Sequence, residues 1–228
     1  FVAVILVHAV YVGVIRPNAD AIMEHQLALQ AAGENYIPSR SLYVILKDFE
    51  QEACFILMFW AMAIMGYKTR SAIRERVLLD RQLIEVSEGM NILPEDSREY
   101  LRPIQALPEQ QREFLLARIL FTALQRFGST RNIQDVSSSV RESCENESER
   151  LDSELSMIRD IACAIPSIGF IGTVRGIGEA LGQAHRAVEG DIAGVTASLG
   201  VAFNSTFIAL VISIIIMFLL HQLQLLQE

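Results

Sequence analysis

The sequence predicts an all-α membrane protein with four membrane-spanning helices per subunit and a helical domain between the second and third. Three observations predict it. Of the 228 residues, 51% are hydrophobic and only 20% charged, with a mean hydropathy of +0.32; a soluble domain has roughly 45–50% apolar residues and about a quarter charged. The apolar excess gathers in four blocks instead of spreading through one large core. The charges between the blocks are unevenly distributed, as they are in loops on opposite sides of a bilayer. The net charge of −8, from 19 basic and 27 acidic residues, leaves no cationic surplus for phosphates and excludes nucleic acid as a partner. Cys54, Cys144 and Cys163 are too few and too scattered for a disulfide framework or a zinc site.

The first block runs from Phe1 to Ile15 and is closed by Arg16-Pro17. At 1.5 Å per residue it covers about 22 Å, less than the roughly 30 Å hydrocarbon core, so residues ahead of Phe1 are expected to complete it. The second, Ala53 to Tyr67, carries Phe55, Phe59 and Trp60, with a helix start near Ser41. The third begins at Ile161 and stays apolar or small until Arg175. The fourth, Ile192 to Leu220, is the longest and has no charge. Lys68, Arg70, Arg74 and Arg76 follow the second block, whereas residues 16–46 contain only Arg16 and Arg40. The positive-inside rule then puts 68–157 in the cytoplasm and the 16–46 loop outside. Residues 1–67 form two spans, 68–157 the cytoplasmic helical domain, and 158–228 two further spans.

The cytoplasmic segment holds 13 basic and 16 acidic residues and reads as helix, broken at Pro94, Pro103, Pro108 and Gly128. From Val136 the helical pattern runs into the third span, with 137–139 as a helix start and Arg141 to Asp160 as a solvated or partner-binding face. There is no repeat and no low-complexity segment. No phosphate-cradling loop or HExxH motif occurs. The four histidines (His8, His25, His185, His221) stand apart from one another and from carboxylate pairs. The chain is therefore read as neither an enzyme nor a holder of a metal or cofactor.

Small or kinking residues mark one stripe on the third span: Ala162, Pro166, Gly169, Gly172, Gly176 and Ala180. The fourth has Ser198, Ala202, Ser205, Ala209 and Ser213. Close helix packing accounts for the small residues. It does not by itself call for Thr173, Asn204, Ser205 and Thr206, whose polar groups at membrane depth suggest a lined ion path. Thr173 lies 13 residues from Asp160 and Thr206 lies 15 from His221, so both stand about 20–22 Å from the same side. The alternative is that each hydroxyl bonds the carbonyl four residues back in its own helix. No acidic residue occurs between Asp160 and Arg175 or between Asp191 and Glu228. Either the subunit conducts nothing, or a partner helix brings the carboxylate that a mid-membrane ion requires.

The segment Pro166-Ser167-Ile168-Gly169-Phe170-Ile171-Gly172-Thr173-Val174-Arg175-Gly176-Ile177, entered from a charged helix, resembles the signature of the MotA/TolQ/ExbB proton-channel family. Ala202 to Leu210 resembles that family's last helix with its pore-facing threonine. The likeness is carried by 141–220; residues 1–140 agree in layout only, and four spans are the count of the flagellar-stator branch. The resemblance implies a multi-pass subunit of the bacterial inner membrane. It implies a homopentamer around a dimer of a single-span partner, each partner helix carrying an ion-binding aspartate. H⁺ or Na⁺ flow would drive rotation, with Thr173 and Thr206 flanking that aspartate. Two departures stand out. Val201 occupies the position where the TolQ and ExbB branches have glutamate, and Arg175 replaces an apolar or aromatic residue. Glu179, four residues on, is placed to pair with Arg175 at the outer end. Asn204 and Ser205 add oxygens suited to Na⁺. Two other readings stay open: a non-conducting membrane scaffold, and the motor subunit of a Zorya-type anti-phage system with a cytoplasmic tail.

Overall fold

A computed structural model of the chain describes residues 2–31, 41–79, 83–84, 92–188, 190 and 192–227. Every element among them is helical: α1 (Val2–Val10), a π turn (Tyr11–Ile15), α2 (Arg16–Ala31), α3 (Leu42–Ile45), α4 (Phe49–Leu79), α5 (Ser97–Gln105), α6 (Glu109–Arg112), α7 (Leu115–Thr130), α8 (Ile133–Gly182), α9 (Ala184–Val188) and α10 (Ala193–Gln227). Among the described residues, four helices are long and apolar enough to cross a membrane: Val2–His25, Phe49–Leu79, Ile133–Gly182 and Ala193–Gln227. The chain divides into two compact units, Phe1–Met65 with Met157–Gln222, and Gly66–Ser156 with Leu223–Glu228.

In the first unit the helix does not stop at Arg16-Pro17 as the sequence suggests. A π turn precedes the proline, and the Arg16 N–H bonds the Tyr11 carbonyl five residues back. That wider turn accommodates a residue without an N–H, so the helix continues to Ala31. Part of the expected 16–46 loop is thus helical, and residues 32–40 of it lie outside the described residues. The next long helix begins not at Ser41 but at Phe49, after the separate short α3. Asp48 closes its first turn, its carbonyl accepting the Glu52 N–H at 3.2 Å. Glu50 and Glu52 in that turn suit the positive end of the helix dipole.

α8 and α10 meet along the small-residue stripes. Ala162, Ile165, Gly169, Gly172, Gly176 and Ala180 are buried on one helix, and Ser198, Ala202, Ser205, Ala209, Ile212 and Ile216 on the other. A Cβ on Gly176 would lie 2.7 Å from the Ser198 carbonyl oxygen and 2.8 Å from the Ala202 nitrogen, so only glycine allows this approach. Pro166 sits inside α8 and cannot donate to the Ala162 carbonyl. Ser213 of α10 supplies the missing donor, its Oγ bonding that oxygen at 3.1 Å. Buried Cys54 packs α4 against α8, with Sγ 3.7 Å from the Ile165 oxygen, whereas Cys163 is exposed.

The second unit has its own core of Leu78, Leu101, Ile104, Ala117 and Leu124, with Tyr100, Phe114 and Phe121 packed around it. Pro103 and Gly128 do not break helices there. Pro103 lies inside α5, where Leu101 and Ile104 are buried and packing outweighs one lost backbone bond. Gly128 lies inside α7 because a side chain would collide with Ser97 Oγ. α7 ends instead at Arg131, in the left-handed region with φ 52°. α8 starts ahead of the serines: Asn132 Oδ1 accepts the Gln134 N–H at 3.0 Å. The charges of this unit pair extensively, as Lys68–Glu154, Arg118–Glu147–Arg150 and Arg126–Asp135. The Asp135 hydrogen bonds push the Arg126 guanidinium up from its ordinary value.

Candidate functional site, a hydroxyl pair with a charged flank

Thr173 and Thr206 are in direct hydrogen-bond contact, each half-buried. Their further bonds cross over. Thr206 Oγ1 donates to the Gly169 carbonyl at 3.1 Å, and Thr173 Oγ1 donates to the Ala202 carbonyl at 3.1 Å. Each hydroxyl thereby takes the carbonyl that the other threonine would use within its own helix. The own-helix bond, Thr173 to Gly169, is the longer one at 3.4 Å. Glycine at 169 and 172 creates the space: a Cβ on Gly172 would lie 2.6 Å from Ser205 Cβ, and one on Gly169 would overlap Ala209. Two hydroxyl protons face three acceptors here, namely the two carbonyls and the opposite hydroxyl. The bonding pattern can therefore rotate between these contacts.

Gly169, Gly172, Gly176, Ala202 and Ala209 are closed against one another in this seam, so their faces are spent within the subunit. Pro166 and Ser213 are half-buried beside it. Ser205 is buried, and its Oγ has no hydrogen-bond partner among the described residues. Asn204 is half-buried, next to Ser205 in sequence.

α8 and α10 carry no carboxylate between Asp160 and Arg175 or between Asp191 and Glu228, and Glu50 of α4 comes beside Gly172. Arg175 Nε and Nη2 bond Glu50 Oε1 and Oε2 at 2.6 and 2.9 Å, a bidentate pair. Arg175 Nη1 bonds Glu179 Oε1 at 3.0 Å, and Asp48 lies 3.7 Å from Nη2. Glu50 Cγ is 3.3 Å from where a Cβ on Gly172 would stand. The Arg175 charge is thus matched by a carboxylate from another helix. Burial pushes the Asp48 carboxyl up from its ordinary value, opposed by Lys47 and Arg175. Nor is His8 isolated: its Nδ1 lies 2.7 Å from Glu52 Oε1, and Arg16 pairs with the same carboxylate while stacking over Phe49. The run Asp48-Phe49-Glu50-Gln51-Glu52 was the signal available in the sequence. Three acids at the head of an apolar block call for cations, and Arg175 within another block is one. Among the described residues, no group of three or more His, Cys, Asp or Glu side chains converges as a metal site.

Among the described residues four helices are long and apolar enough to cross a membrane, which defines a multi-pass membrane protein. Residues 111–228, just over half of the chain, match the MotA/TolQ/ExbB proton channel family, and the chain belongs to that family. No curated protein and no solved structure matches it.

Proposed function

We propose that the chain is the ion-conducting, stator-type subunit of a rotary motor in the bacterial inner membrane, driven by a proton or sodium gradient. Five copies surround a dimer of a single-span partner, and each partner helix presents an aspartate to the Thr173–Thr206 pair. The carrying observation is that pair: two hydroxyls at one level, with lone pairs to offer and a bonding pattern that can rotate. Glu50 does not replace the partner's aspartate, because Arg175 holds both of its oxygens. An ion crossing the membrane releases about 2.3 kcal/mol per charge per 100 mV, and rotation of the pentamer about the dimer spends it. On this topology Arg175, Glu50 and Asp48 stand toward the outer side, and residues 68–157 are cytoplasmic.

The test is ion flux in proteoliposomes carrying the subunit with a co-expressed single-span protein that has an aspartate in its span. Flux is expected only when both are present, and should vanish when that aspartate becomes asparagine. A second reading, a non-conducting scaffold, draws on the same hydroxyls, since every threonine donor here is already satisfied by a facing carbonyl. Partner-independent silence in the flux assay, with the complex intact, would favour it.

A further inference from the structure

The apolar block of the second span stops at Tyr67, but α4 runs on as the same helix to Leu79. One side of this extension is covered. Leu78 enters the core of the Gly66–Ser156 unit, and Lys68 pairs with Glu154 of α8. Glu75 lies seven residues after Lys68, so on the same side, and is half-buried. The other side is open. Tyr67 is 75% exposed, Ile73 50% and Val77 56%, and Arg70 and Arg74 are exposed among them. Steps of three and four residues set Tyr67, Arg70, Arg74 and Val77 on one stripe, with Ile73 at its edge. Apolar side chains this exposed, interleaved with arginine, make an amphipathic face.

Charge and position together say what covers it. Among the described residues, the ion pairs of this unit use Lys68, Arg118, Arg126, Arg141 and Arg150, and Arg70 and Arg74 enter none of them. Residues 67–79 hold four cations and one acid in a chain whose net charge is −8, so the basic surplus is local. A guanidinium fork matches the oxygens of a phosphate. Arg70 and Arg74 stand three and seven residues beyond the apolar block, about 5 and 10 Å at 1.5 Å per residue. The headgroup layer reaches about 5–8 Å beyond the hydrocarbon on each side, within range of both side chains. Tyr67 stands at the boundary, where aromatic rings gather. One turn before Arg70, a Cβ on Gly66 would meet nothing within 4 Å. That is an open notch at the level of a lipid's glycerol backbone.

We infer that this face binds an anionic phospholipid from the leaflet next to residues 68–157. Arg70 and Arg74 hold its phosphate, Tyr67 sits beside the headgroup, and the Gly66 notch takes the glycerol end. The site is separate from the hydroxyl pair and does not depend on conduction.

The test is native mass spectrometry of the assembled complex after titration in detergent with phosphatidylglycerol or with zwitterionic phosphatidylcholine. Phosphatidylglycerol should be retained and phosphatidylcholine lost. Arg70→Gln with Arg74→Gln should weaken phosphatidylglycerol retention at least about tenfold, the scale expected for two arginines at an anionic surface. Gly66→Leu keeps every charge and should also lower retention, because it fills the notch. Arg98→Gln with Arg102→Gln removes the same charge from exposed positions of α5 and should leave retention unchanged. Equal retention of the two lipids, or an equal loss in the Arg98 and Arg102 control, would reduce the face to diffuse charge and overturn the site. A changed number of copies per complex in the Arg70 and Arg74 variant, with phosphatidylglycerol per copy unaltered, would make the face a contact between subunits and overturn it as well.

Discussion

At the scale of single residues, the hydroxyl pair and the Arg175 cluster carry different kinds of energy. Thr206→Val keeps the shape of the side chain but removes the donor to Gly169 and the contact with Thr173. Interhelical hydrogen bonds of this kind in membranes are worth about 0.6 kcal/mol on average and up to about 1.7. The variant should therefore remain folded, with a loss of that order in a reversible unfolding assay. Arg175 is a different case, because removing it strands the nearly buried Glu50 carboxylate. Arg175→Gln should cost about 3 kcal/mol, the low end for an orphaned buried charge given that Arg175 is partly exposed. Arg175→Gln with Glu50→Gln should recover most of the loss. A double variant no more stable than Arg175→Gln alone would show that the pair is not the source of the effect.

At the scale of elements, the α8–α10 seam makes a sharp comparison between glycines two positions apart. A methyl on Gly176 meets backbone of α10, whereas one on Gly178 meets nothing within 4 Å. Gly176→Ala should lose about 1–3 kcal/mol through overpacking. Gly178→Ala should gain up to about 1 kcal/mol in helix propensity, both read by the midpoint of detergent-mediated unfolding. Pro166 and Ser213 form a second test. Ser213→Ala should be destabilising in the native chain, where Ala162 has lost its backbone donor, and near neutral once Pro166→Ala restores that donor. Lengths of apolar runs made the four spans legible from sequence, but their ends were not. Pro17, Pro103 and Gly128 look like breakers, yet the π turn at Tyr11–Ile15 and the packing of Ile104 and Ser97 hold helix through each of them. Local signals of that kind yield to tertiary contacts that pattern alone does not display.

At the scale of the whole molecule, the sequence put Thr173 and Thr206 at one level relative to each other, because helical rise converts residue counts to distance, and the two hydroxyls do face each other. It did not show that they touch, nor that Glu50 comes beside Gly172, since those facts depend on how α4, α8 and α10 pack. The same packing explains why Arg175, a cation in an apolar block, is tolerated. Conduction demands more of the hydroxyl pair than helix packing does, and the two demands separate in one measurement. That measurement is partner-dependent ion flux through the reconstituted complex, with Thr173→Val and Thr206→Val compared to the native chain and the assembled complex quantified in the same samples. Flux lost in both variants from complexes that still assemble is the predicted result; unchanged flux in both would contradict the account.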